Sequence, residues 1–145
     1  MDNRTTEQEV WQRVQANREA VPVNDLGQLQ REAMELAAAY RNLSTQLTGT
    51  PKESVMKLHR GEKANAMTLA GLEILSRDRG EALKLWQPKK EDPRKLLQRC
   101  YHRTRRCMTE YLARSAEAEY GVVFEKLAKR EAEHCALIPE ILGSL

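Results

Sequence analysis

Residues 120–142 read YGVVFEKLAKREAEHCALIPEIL. In this stretch Tyr120, Phe124, Leu127, Glu131, His134, Ile138 and Ile141 recur at alternating steps of three and four, so they share one face of a helix. Five of them are apolar, which marks a buried seam; Glu131 and His134 interrupt it. A carboxylate and an imidazole three residues apart can reach one metal ion together, oxygen plus nitrogen. Glu-x-x-His is common by chance, and its weight here comes from lying on the seam. The competing reading is a buried polar network. An unpaired carboxylate in a core costs several kcal/mol, so each must have a partner. Arg103 and the hydroxyls of Tyr40 and Tyr111 are the partners considered from the sequence.

Three further helices are expected upstream. The first runs from about Asn24, as cap, through Leu26, Leu29, Ala33, Leu36, Tyr40, Leu43 and Leu47 to a stop at Gly49. The second opens on Thr50 as N-cap, Pro51 at the first helical position and Glu53 closing a capping box. Its seam is Val55, Leu58, Glu62, Asn65, Leu69 and Leu72, again with a polar pair where apolar residues belong. The third starts at Asp92-Pro93 and carries Leu97, Cys100, Thr104, Cys107 and Tyr111. Short links join the first helix to the second and the third to the fourth. The stretch from 80 to 92, with Leu83, Leu85 and Trp86, is long enough to cross the end of a bundle. Residues 1–23 read as an N-terminal arm with a short helix over Thr5 to Asn17, and residues 24–145 as the bundle domain.

The two hairpins look like diverged copies. Tyr40 precedes Glu62 by 22 positions, and Tyr111 precedes Glu131 by 20. Beyond each glutamate the registers agree: Asn65 matches His134, Ala66 matches Cys135, Leu69 matches Ile138 and Leu72 matches Ile141. Two such hairpins face their Glu-first pairs across the middle of a bundle.

Composition sets the frame around this. The 145 residues suffice for one domain with a real core, and five prolines, seven glycines and one phenylalanine among many helix formers point to all-α. No apolar run is long enough to cross a bilayer, and the polar Met1 to Thr6 segment is not a signal peptide, so a cytoplasmic protein without membrane contact is expected. Cys100, Cys107 and Cys135 lack C-x-x-C spacing and read as reduced core thiols. A net charge of +3 is too mild to imply nucleic acid.

With these helices and the Glu131–His134 pair, the chain resembles the rubrerythrin-like branch of the ferritin-like di-iron carboxylate proteins over roughly residues 24–143. The resemblance implies a ferritin-like four-helix bundle and a metal site that takes Glu-x-x-His from the second and fourth helices. Those positions are Glu62 with Asn65 and Glu131 with His134. The glutamates that the family places seven residues before a tyrosine fall here on Ala33 and Thr104, which are not carboxylates. Glu32, beside Ala33, is the candidate substitute. The expected metal residues are therefore Glu62, Glu131, His134 and Glu32, with iron the implied ion and zinc, manganese or none the alternatives. Iron would imply redox work on oxygen or peroxide. The chain lacks the C-x-x-C pairs of the family's small electron-feeding domain, and the added helix of storage ferritins.

The alternative is a non-catalytic helical module that kept the fold and lost the metal centre. It would work through surfaces: a homodimer, or an acidic partner on the basic third helix with Arg94, Lys95, Arg99, Arg103, Arg105, Arg106 and Arg114. Without interleaved aromatics that face reads as solvated rather than nucleic-acid binding. His59 is expected at the surface or a boundary, and His102 in solvent. Trp11 and Trp86 are expected to anchor the arm and the crossover.

Overall fold

A computed structural model describes residues 25–76 and 91–145. Among them are four helices and no strand: α1 (Leu26–Ser44), α2 (Gly49–Ser76), α3 (Pro93–Arg114) and α4 (Gly121–Ser144). The expected arm, Trp11, Trp86, Gly80 and most of the crossover lie outside the described residues.

The starts of α1, α2 and α3 have local causes. The cap of α1 is Asp25, one residue later than expected. Its carboxylate accepts from the Gln28 amide at 2.7 Å, and the Gln28 side chain accepts from the Asp25 amide at 3.1 Å, a closed capping box. α1 ends at Ser44, well before Gly49, which instead opens α2 with a left-handed φ of 64° that favours glycine. Thr50 and Pro51 are thus already inside α2. α3 starts at Pro93 behind Asp92 as expected, although the Asp92 side chain makes no cap bond.

The helices form a four-helix bundle in which α1 packs on α2 and α3, and α4 packs on α2 and α3. The α1–α4 and α2–α3 pairs lie across the diagonals. Cross-bundle bonds fix the directions. Residue 62 bonds residue 134 and residue 65 bonds residue 131, so α2 and α4 run antiparallel. Arg94 at the start of α3 bonds the carbonyl of Leu145 just beyond α4, so that pair is antiparallel too. It follows that α2 and α3 are parallel, and the end of α2 and the start of α3 lie at opposite ends of the bundle. This is the relation that a long second connection requires.

The seams are buried as the periodicity predicts. Leu29, Leu36, Tyr40, Leu43, Val55, Leu58, Leu69, Leu97, Tyr111, Phe124 and Ile138 are fully buried. Each aliphatic or Phe side chain among them contributes about 1.5–3 kcal/mol by leaving water. The rings of Tyr111 and Phe124 tie α3 to α4 with centroids 6.4 Å apart. His59, half-buried at the α1–α2 boundary, bonds the Ala37 carbonyl through Nδ1 at 2.7 Å. His102 is exposed, as expected. Among the described residues no helix is long and apolar enough to cross a membrane.

Candidate metal centre

At mid-bundle the apolar seams of α2 and α4 give way to Glu62, Asn65, Glu131 and His134, at 0%, 0%, 0% and 5% exposure. Because the helices are antiparallel, the pairs meet head to tail. His134 Nδ1 lies 3.0 Å from Glu62 Oε1 and 3.4 Å from Glu131 Oε1. Asn65 donates its amide to Glu131 Oε1 at 2.8 Å. Each glutamate is therefore bonded to the opposite helix's second partner: Glu62 Oε1 pairs with His134 Nδ1, and Glu131 Oε1 accepts from Asn65. The diverged repeat becomes a two-fold relation in space.

The second oxygens of the two glutamates are different. Glu62 Oε2 and Glu131 Oε2 are buried with no hydrogen-bond partner. A buried acceptor left without a partner costs about 1–3 kcal/mol, and more when charged. Two carboxylates facing each other in a core need positive charge between them, either a proton or a metal ion. Burial first, and then the facing Glu131, push the Glu62 carboxyl well above its ordinary value, while the Arg130 guanidinium acts the other way. One ligand atom from each of Glu62, Glu131 and His134 lies within 4.8 Å of the others, a spacing that a single cation spans. The donor set of two carboxylates and one imidazole suits a first-row divalent ion, so the residues fit a metal. No other group of three such donors is found among the described residues.

Glu32 is not part of this cluster. Its carboxylate accepts from Arg103 Nε at 3.0 Å and from Arg103 Nη2 at 2.6 Å, and the same guanidinium bonds Glu35 at 3.0 Å. α1 turns Glu32 and Glu35 toward α3, where a permanent cation answers them. Arg103 is thereby committed to α1. It is neither the partner of Glu62 or Glu131 nor a free member of a basic docking face.

Nor do the tyrosines serve those glutamates. The Tyr40 hydroxyl bonds Thr104 Oγ1 at 3.1 Å, from α1 to α3. By the two-fold relation Tyr111 should meet residue 33, which is alanine and offers no oxygen. The buried Tyr111 hydroxyl accordingly has no hydrogen-bond partner. Burial pushes both phenols far up.

Two residues that the sequence reading passed over complete the centre. Arg130 donates to Asn65 Oδ1 at 2.7 Å, so Arg130, Asn65 and Glu131 form a chain of bonds. Gly61 lies against the imidazole: a Cβ built there would stand 2.2 Å from His134 Nε2. Gly61 and Arg130 each directly precede a glutamate, so they are counterparts in the repeat, and that position was the available signal. Gly61, Arg130, His134 and Lys57 also line a cleft of ≈ 400 Å³ that reaches the imidazole from outside.

Scanning protein-family models, searching curated proteins and searching solved structures each return no match.

Proposed function

We propose that this chain is a metal-binding four-helix bundle of ferritin-like topology, in which Glu62, Glu131 and His134 hold a divalent first-row ion. The observation that carries the reading is the pair of buried, partnerless oxygens, Glu62 Oε2 and Glu131 Oε2, beside an imidazole within 4.8 Å. The antiparallel α2–α4 pair and the parallel α2–α3 diagonal support the ferritin-like topology. Iron is the ion the family resemblance implies, and with it redox work on oxygen or peroxide; zinc and manganese suit the same donors. Bound there, the ion would supply positive charge between the two carboxylates. The protein would contribute the ligands and a dry surround.

The test is metal uptake by metal-free protein under anaerobic conditions, with Fe(II), Mn(II) and Zn(II) added in turn. Uptake by the wild type that is lost in His134→Ala and Glu131→Gln is the expected result. A wild type that stays empty with all three ions overturns the reading.

A second reading has one observation in its favour: Asn65 and His134 already satisfy one oxygen of each glutamate. In that case the cluster is a polar fastener between α2 and α4 in a non-catalytic module, working through a homodimer or an acidic partner. Glu131→Gln would then change stability alone.

A further inference from the structure

The two halves of the cluster are related by the repeat, yet they are filled by opposite means. In one half the residue before the glutamate is Gly61, and the imidazole of His134 occupies the space its side chain would need. In the other half the residue before the glutamate is Arg130, and its partner position holds the short amide of Asn65, to which Arg130 donates at 2.7 Å. Glycine makes room for histidine at one contact and arginine reaches the short asparagine at the other, and the Arg130 stem also passes the Gly61 position, its Cδ 3.5 Å from where a Cβ would stand. The two contacts also differ in chemistry. The first half offers a nitrogen lone pair to an incoming cation. The second already contains a cation, the Arg130 guanidinium.

We infer that this centre is built for one metal ion, held by Glu62, Glu131 and His134, and that the Arg130 guanidinium, bonded to Asn65, is the fixed cation that stands in place of a second. This rests on the metal-binding reading above. Three features support it together. Glu131 receives the Arg130 charge through a bonded chain, Arg130 to Asn65 to Glu131. The second half has no imidazole, since Asn65 stands where the repeat would place one. The flanking positions that could add carboxylates, residues 33 and 104, are alanine and threonine, and Thr104 is bonded to Tyr40. A second divalent ion would find the Asn65 amide N–H groups and a guanidinium where it needs lone pairs. Repulsion between such an ion and the guanidinium adds to that lack of ligands.

The consequence for ligand class is a single divalent ion with N,O,O protein donors, completed by water or by a small molecule entering through the cleft beside Gly61.

Cobalt(II) added to metal-free, full-length protein tests this by stoichiometry and by the sign of one mutation. The wild type is expected to take up one equivalent. Arg130→Gln is expected to bind that equivalent several-fold more tightly, because a repelling charge is gone. An arginine with only a structural part would give weaker or unchanged binding. Asn65→His combined with Arg130→Gly copies the first half onto the second and is expected to admit a second equivalent. If that double variant does not fold, the wild-type stoichiometry and the Arg130→Gln sign still decide. Two equivalents in the wild type, or weaker or unchanged binding in Arg130→Gln, overturn the inference and leave the metal reading standing. No uptake at all removes the metal reading itself.

Discussion

His134 Nε2 fills the volume that a side chain at Gly61 would need; a Cβ there would come within 2.2 Å of it. The helix pair α2–α4 can close to this distance only because residue 61 is glycine. In a helix interior glycine normally costs about 0.5–1 kcal/mol relative to alanine, so Gly61→Ala would ordinarily stabilise. Here it is expected to destabilise, by about 1–3 kcal/mol as for other overpacked cores, since the imidazole must leave Glu62 or the helices must part. In a His134→Ala background the same change should become neutral or stabilising. Thermal melts of the four proteins check this; equal effects in both backgrounds would refute the steric account.

The raised Glu62 carboxyl gives the metal-free protein a definite pH dependence. Burial and Glu131 lift it above its ordinary 4.5, so the native state holds a proton that the unfolded chain releases. That contribution to stability is full below the ordinary carboxyl range and is lost as pH rises through the raised value. Metal-free protein should therefore lose stability from mildly acid toward alkaline pH, and Glu62→Gln should flatten the curve. Parallel curves for the two proteins would count against a proton held at Glu62.

The Arg103 clamp makes a prediction that separates Glu32 from the metal ligands. Arg103→Met should cost on the order of 2 kcal/mol, since the buried Glu35 and the half-buried Glu32 both lose charged hydrogen bonds. Glu32→Gln should lower stability yet leave metal affinity unchanged. Isothermal titration with the same divalent ion would expose the opposite case, in which Glu32 swings in as a ligand.

The thiols should differ sharply in reactivity. Burial pushes the Cys100 thiol up to about 12, with Arg103 and Arg99 pulling the other way, and burial likewise raises Cys107 well above its ordinary range. Cys135 is only half-buried. Iodoacetamide at neutral pH should therefore label Cys135 alone in the folded protein and every cysteine after denaturation. Mass spectrometry of the folded protein showing early labelling at Cys100 or Cys107 would contradict the packing described for α3.

Much of this was legible in one dimension because burial follows periodicity. Glu62, Asn65, Glu131 and His134 break apolar seams at core positions, and they are buried there. What a seam cannot state is which residue of a neighbouring helix lies opposite, since that depends on crossing register and on small rotations. Hence the sequence offers Arg103 to the central glutamates, whereas the turn of α1 gives it Glu32 and Glu35. Asn65 stands where the repeat would place a second histidine, and only the α2–α4 register shows it donating to Glu131. The cap of α1 moved by one residue for a similar reason: Asp25 with Gln28 closes a reciprocal box.

The Gly61–His134 and Arg130–Asn65 contacts also decide which hairpin can associate with which. Suppose α1–α2 were to pair with a second copy of itself through the same crossing. Gly61 would then face Asn65 twice, small against small, leaving two voids. A self-pair of α3–α4 would drive Arg130 into His134 twice, with two bulky basic groups competing for each space. Only the mixed pair sets a large side chain against a gap at both crossings. The asymmetry at the centre is thus a recognition code between two halves of one chain, and it makes an ancestral-type symmetric dimer of either half unfavourable.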